Sequence, residues 1–205
     1  MDPFSLISPP TTESPHGCSS VMSLRSNVSQ AEALRLLDDS RLSNLAVRIR
    51  RGVLQRIASV FVPFALYRVS YVNGRKRRER FVAIDQIDGT LDLFEFSGTI
   101  RPNELILSAS RNCLTRILNE KDVRSLLLEK VMRTVFMQGF FQLPKPDLQI
   151  DLKVMDFCVP YWLGFYGRDG ALHCRVLDAV RNRLEGDKAT EFFENWLTAA
   201  NSRCN

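Results

Sequence analysis

Two segments of this 205-residue chain share a Pro-aromatic-x-Leu pattern when written in register, and that near-repeat restricts the fold more than any other feature. Ile57 to Leu66 lies over Val154 to Leu163, so that Pro63 falls over Pro160, Phe64 over Tyr161 and Leu66 over Leu163, at an offset of 97. Downstream, Phe81 to Asp85 lies over Cys174 to Asp178, each run ending just before a turn. A sequence that repeats itself builds the same supersecondary unit twice. The elements around one copy therefore predict those around the other.

The first copy opens with Ser29-Gln30-Ala31-Glu32. This fits a capping box, in which the serine accepts the N3 amide and the glutamate reaches back to the cap. Ala33, Leu34, Leu36 and Leu37 continue it as an apolar stripe, predicting a helix over 30–39. From Leu42 to Ile57 two templates fit. Leu42, Leu45, Ile49 and Val53 have helical spacing, while Val47, Ile49 and Val53 suit strands. Leu66 to Val72 is rich in β-formers, with Tyr67, Val69 and Tyr71 on one face. Asn73-Gly74 then accepts the positive φ angles of a type I′ turn, Arg80 to Ile87 returns, and Asp88-Gly89 turns again before Leu91 to Phe96. The prediction is a three-stranded antiparallel meander.

The second copy uses the same grammar. Asn119 caps a helix in which Val123, Leu126, Leu127, Val131, Val135 and Phe136 keep a helical rhythm as far as Gly139. Leu128 and Met132 widen its apolar arc, which suits either a helix sandwiched between the copies or a dimer seam. Strands follow at Leu148–Val154, Tyr161–Tyr166 and, after a turn at Arg168-Asp169-Gly170, Leu172–Val180. A last helix, capped by Asp187, places Phe192, Phe193, Trp196, Leu197 and Ala200 on one side.

Residues 1–28 hold four of the nine prolines and seven serines, a composition that cannot repay the entropy of ordering. The expected division is a disordered tail at 1–28, a first helix-hairpin unit at 29–97, a connection at 98–118, and a second helix-hairpin unit with a C-terminal helix at 119–205. The fold class is α+β, two tandem helix-plus-antiparallel-hairpin units with helices covering one face of the sheet. The order of elements resembles that of small cystatin-like and PepSY-like α+β modules. The likeness is in element order alone, and fold analogy does not transmit function.

Charge is segregated. Between Arg41 and Ile84 stand eleven basic residues and a single acid, Glu79, within a chain of net charge +5. The remainder is therefore net acidic. Separation on this scale steers an anionic partner. No apolar stretch reaches the roughly 18 residues of a membrane span, and Met1-Asp2-Pro3-Phe4 lacks the basic and apolar regions of a secretory signal. Five scattered cysteines (Cys18, Cys113, Cys158, Cys174 and Cys204), with no C-x-x-C and only His16 and His173, suit neither a zinc site nor a disulfide framework. A reducing cytoplasm, and neither metal nor cofactor, is expected.

The basic run Gly74-Arg75-Lys76-Arg77-Arg78-Glu79-Arg80 is the most pointed feature. One reading is a hairpin tip for anions, since arginine binds carboxylate and phosphate bidentately and Tyr67 and Tyr71 could stack bases. The other is an edge-protecting, solvated turn. The second copy turns on Gly167-Arg168-Asp169-Gly170 with no such run, so the fold does not require it. Gly164, flanked by Trp162 and Tyr166, leaves room mid-strand for a ligand or another backbone, or marks a bulge. Asp85, Asp88, Asp92 and Glu95, echoed by Asp178 and Glu185, read as turn chemistry rather than as an acid–base pair or metal site. His173 and Cys174 are strand neighbours facing opposite ways, so they form no catalytic couple. The common hydrolase, nucleotide-binding and metalloprotease signatures do not occur.

The expected function is a non-catalytic cytoplasmic interaction or assembly module. Arg75, Lys76, Arg77, Arg78 and Arg80, with Tyr67 and Tyr71, would dock an acidic protein, and Arg48, Arg50 and Arg51 would add to the field. A homodimer is among the expected assemblies. The alternatives are a nucleic-acid or other polyanion binder, and a small-ligand protein or enzyme with its pocket at Trp162, Gly164 and Tyr166.

Overall fold

The computed structural model describes residues 19–38, 52–73, 76–137, 148–168 and 171–202. In chain order these form β1 (Ser19–Leu24), α1 (Gln30–Leu37), β2 (Val53–Asn73), β3 (Lys76–Asp85), β4 (Phe94–Phe96), a 3-10 turn (Pro102–Glu104), β5 (Leu105–Ser110), α2 (Glu120–Met137), β6 (Leu148–Arg168), β7 (Ala171–Asp178), β8 (Arg183–Leu184) and α3 (Asp187–Ser202). The class is α+β with a mostly antiparallel sheet. Its strands run β4-β3-β2-β6-β1-β5, with β7 paired to β6 and β8 to β7.

Two 21-residue strands, β2 and β6, form the spine. They pair antiparallel from Val53 opposite Gly167 to Tyr71 opposite Leu148, with Val62 opposite Val159 near the middle. Strands this long are rare among globular proteins, and the register shifts at Leu54/Arg56, Leu66/Tyr67 and Tyr67/Val69 are the bulges that bend them.

A proline inside a central strand normally removes a ladder bond. The sequence predicts Leu148–Val154 and Tyr161–Tyr166 as separate strands, yet β6 runs unbroken through Pro160. The prolines face away from the β2–β6 ladder. On the far side the Pro63 carbonyl accepts the Gln86 N–H (2.9 Å), and the Pro160 carbonyl accepts the Ala179 N–H (3.2 Å). Each partner's carbonyl, left without a donor by the proline ring, is satisfied from elsewhere. Ile117 and Leu118 donate to Gln86 (2.9 and 3.0 Å), and Asn27 donates to Ala179 (2.8 Å).

The helices divide between the two faces, which corrects the expectation of one covered face. On one face α1 lays Ala33 and Leu37 on Leu177 and Ala179, flanked by Leu54, Ile57 and Trp162. On the same face α2 lays Val123, Leu127 and Val131 on Ala65, Tyr67, Val69, Val82 and Ile84. Each helix thus packs chiefly on the hairpin that the sequence division assigns to the other unit. The opposite face carries the largest core: Val60, Val62, Phe64, Phe157, Val159 and Tyr161, covered by Phe192 and Phe193 of α3 and by Leu24, Leu91, Ile100 and Leu114.

The capping box at Ser29 forms. Ser29 Oγ accepts the Glu32 N–H (3.3 Å) and Glu32 Oε2 accepts the Ser29 N–H (2.8 Å). Asn119 likewise accepts the Asp122 N–H at the start of α2 (3.0 Å). The tail reading of 1–28 does not hold for its last third. Ser19–Leu24 is a strand, paired with β5 along six positions and bridged to β6 by Ser23 opposite Cys158. Residues 1–18 lie outside the described residues, as do Leu42–Arg51 of the ambiguous segment, the turns at Gly74 and Asp169-Gly170, and the end of the second predicted helix at Gly139.

Candidate partner-binding surface

The β2–β3 hairpin pairs from Phe64 opposite Asp85 out to Asn73 opposite Lys76. The next strand, β4, covers only Phe81, Val82 and Ala83. Lys76 to Arg80 therefore lie on a part of β3 whose outer side no described strand pairs. Lys76, Arg77 and Arg78 take the positions opposite Asn73, Val72 and Tyr71. Arg75 lies outside the described residues, as do Arg48, Arg50 and Arg51.

At the base of this arm the basic side chains are tied down. Arg80 Nη1 donates to Glu95 Oε2 (2.7 Å) across β3 and β4. Arg68 Nε donates to Asp151 Oδ2 (2.7 Å), and Ser70 Oγ donates to the same oxygen (3.2 Å). Here β6 carries two more residues than β2 between the pairs Leu66–Met155 and Val69–Ile150. The extra length lifts Val154 to 42% exposure. It opens a cleft of about 730 Å³ lined by Arg68, Phe81, Arg124, Asp151, Lys153 and Val154 among others. Arg124 is anchored there by its bond to the Ile150 carbonyl (2.7 Å).

Asp156, which the sequence reading passed over, organises the neighbouring surface. Its carboxylate receives Gln86 Nε2 (3.1 Å), Lys153 Nζ (3.0 Å) and Arg116 Nη2 (2.9 Å). An isolated acid inside an otherwise apolar strand run was the available signal for such a hub.

Of the two tyrosines assigned to the arm, only Tyr71 keeps an accessible ring, being half-buried. Tyr67 is fully buried beneath α2, so it presents no face for a base to stack on. Burial also pushes its hydroxyl up to about 12.

The trio Trp162, Gly164 and Tyr166 is the seat of α1 rather than a ligand pocket. Trp162 Nε1 donates to the Val28 carbonyl before the helix (3.2 Å), and the Tyr166 hydroxyl donates to the Leu37 carbonyl at its end. A Cβ on Gly164 would stand 3.2 Å from Leu37 Cδ2 and 3.2 Å from Leu54 Cδ1. The space that a missing side chain leaves is filled by α1. The glycine admits a close neighbour, as expected of the type, but that neighbour is the chain itself.

The buried carboxylates serve the turns. Asp85 Oδ1 accepts the N–H groups of Ile87, Asp88 and Gly89 (3.1, 3.2 and 2.9 Å), and Oδ2 accepts that of Leu91 (3.0 Å). Asp178 Oδ1 accepts those of Val180 and Arg181 (both 2.8 Å). Burial raises both carboxyls above the ordinary aspartate value despite these bonds. The same cause lifts the thiols of Cys158 and Cys174 to about 12, far from the thiolate a nucleophile needs. Among the described residues no three His, Cys, Asp or Glu side chains are grouped to hold a metal ion, and no helix is long and apolar enough to cross a membrane. No family model matches the chain, and neither a curated protein nor a solved structure matches it.

Proposed function

We propose that this chain is a non-catalytic interaction module whose β2–β3 arm docks an extended acidic segment of a partner protein. The observation that carries the reading is the outer edge of β3 at the positions of Lys76, Arg77, Arg78 and Arg80, which no strand among the described residues pairs. A strand edge offers main-chain donors and acceptors to an added strand, and a basic edge selects acidic residues on that strand. The cleft beside Arg68, Arg124 and Lys153 extends the same positive field to the foot of the arm. A non-catalytic role is supported by the engagement of Asp85 and Asp178 with main-chain N–H groups and by the raised thiols.

The two hairpins are, on this proposal, tandem copies of one unit that have exchanged helices. The equivalent bonds Gln86 to Pro63 and Ala179 to Pro160, with Val62 opposite Val159, support it. So does the helix packing, α1 on Leu177 and Ala179 beside Trp162 of the β6–β7 hairpin and α2 on the β2–β3 hairpin. A cytoplasmic setting belongs to the same proposal and is supported by the free thiols of Cys158 and Cys174.

The test is fluorescence polarisation with a labelled acidic peptide, a neutral peptide of equal length and a single-stranded oligonucleotide. Each is titrated against wild type and against a chain carrying Arg75→Ser, Lys76→Ser, Arg77→Ser and Arg78→Ser. The expected result is acidic-peptide binding by wild type alone. Tighter binding of the oligonucleotide, with the steep salt dependence of counterion release, would replace this reading with the polyanion one. Absence of binding to all three at low salt would remove both.

A further inference from the structure

Among the described strands, the edges at β4, at β8 and along the outer part of β3 are guarded. β4 and β8 are three and two residues long, and the outer edge of β3 is basic. Shortness and charge are two of the usual defences against edge-to-edge pairing. β5 has neither. Its six residues, Leu105-Ile106-Leu107-Ser108-Ala109-Ser110, contain no charge and no proline, and β1 is its only partner among the described strands.

The direction of its main-chain groups is fixed by one bond. The Arg25 N–H donates to the Glu104 carbonyl (3.2 Å), continuing the β1–β5 ladder in register. Main-chain groups alternate along an antiparallel strand, so Ile106, Ser108 and Ser110 turn theirs toward β1. Leu105, Leu107 and Ala109 turn theirs outward. Leu107 is 70% exposed and stands opposite Met22, itself 36% exposed.

We infer that β5 is a homodimerisation edge, to which a second copy of this chain adds its own β5 antiparallel. The edge can pair with its own copy. A twofold axis through an antiparallel pair stands perpendicular to the sheet and keeps each side chain on its own face, so a residue meets itself or one an even number of positions away. The outward set satisfies this. With Leu107 opposite Leu107, Leu105 meets Ala109 in both directions, and six main-chain hydrogen bonds close between the copies. Met22 and Leu107 of both copies then form one apolar ridge across the axis. The antiparallel sense brings the Glu104 end of one strand alongside the Arg111 end of the other, and both side chains are exposed. This surface is separate from the β2–β3 arm, so its fate does not depend on that reading.

The test is sedimentation equilibrium of the full chain from low to high micromolar concentration, for wild type and Leu107→Lys, with far-UV circular dichroism to verify folding. The companion test is air oxidation of Leu107→Cys, read on a non-reducing gel against wild type, which carries the native cysteines alone. Wild type is expected to dimerise with rising concentration. Leu107→Lys, which sets two ammonium groups together at the axis, is expected to remain monomeric. Leu107→Cys is expected to trap a covalent dimer, because Cα atoms in a hydrogen-bonded antiparallel pair lie about 5.5 Å apart, within disulfide range. A wild type that stays monomeric throughout overturns the inference. So does a dimer that survives Leu107→Lys, or a Leu107→Cys chain that fails to cross-link.

Discussion

Asp85 and Asp178 hold matching places in the sheet, opposite Phe64 and Tyr161, and each binds the main-chain N–H groups of the turn that follows it. They differ in how fully the carboxylate is used. Asp85 engages both oxygens, whereas Asp178 Oδ2 has no hydrogen-bond partner among the described residues and lies 3.7 Å from Arg181 Nη1. Asn can replace one accepting oxygen but not two. Asp85→Asn sets an amide against the Leu91 N–H and is expected to cost about 2 kcal/mol or more. Asp178→Asn keeps both of its bonds and should cost well under half of that. Urea denaturation of the two variants gives the comparison. Equal losses would mean that the second oxygen of Asp85 contributes nothing.

The same carboxyls set a pH dependence. Burial raises Asp85, Asp178 and Glu185 above their ordinary values. Between the unfolded value of 3.8 for aspartate and the raised folded value, the folded chain holds more protons than the unfolded one. Stability from these groups therefore falls as pH rises through that window, and the loss is complete above the folded pKa. Asp178→Asn removes its share. The stability of the variant relative to wild type should rise from pH 4 toward neutrality, as read from urea midpoints at several pH values. A difference that does not move with pH would show that Asp178 titrates alike in both states.

Pro63 is expected to resist replacement although it stands in mid-strand. In Pro63→Ala the restored N–H would point at the Gln86 carbonyl, which already accepts Ile117 and Leu118 (2.9 and 3.0 Å). The substitution also frees the unfolded chain, by about 0.4–1 kcal/mol. The expected outcome is a destabilised chain, with faster hydrogen exchange at Ile117 and Leu118 than at the amides of the β2–β6 ladder. Unchanged exchange at those two amides would mean the carbonyl can serve all three donors.

These residues also mark what sequence could and could not convey. The capping box at Ser29, the cap at Asn119 and the turn role of Asp85 depend on neighbours a few positions away, and each was legible. Pairing depends on remote partners. β1 was lost in a Ser- and Pro-rich composition because its support comes from β5 and β6, some 85 and 135 positions downstream. An apolar helix stripe states that a face is buried and not against which sheet, so the packing of α1 on Leu177 and of α2 on Ile84 could not be read. Tyr67 and Tyr71 are alike in the alternation, and only the reach of α2 distinguishes the covered ring from the accessible one. Gly164 announced a close approach without naming Leu37.

That approach gives a graded test. A Cβ at Gly164 would meet Leu37 Cδ2, Leu54 Cδ1 and Tyr166 Cε2 at 3.2, 3.2 and 3.3 Å, distances at which each neighbour must give by a few tenths of an ångström. Gly164→Ala should cost about 1 kcal/mol, and Gly164→Val, which overpacks the site, up to about 3 kcal/mol. Both should loosen α1 selectively, seen as faster amide exchange across 33–37 while α2 keeps its protection. Tyr166→Phe, which removes the bond to the Leu37 carbonyl, should produce the same local signature without added volume. Tyr67→Phe removes a buried hydroxyl that has no partner among the described residues and should leave stability unchanged or raise it. Uniform loss of protection across α1 and α2 in the Gly164 variants would show that the glycine serves the whole sheet and not the seat of one helix.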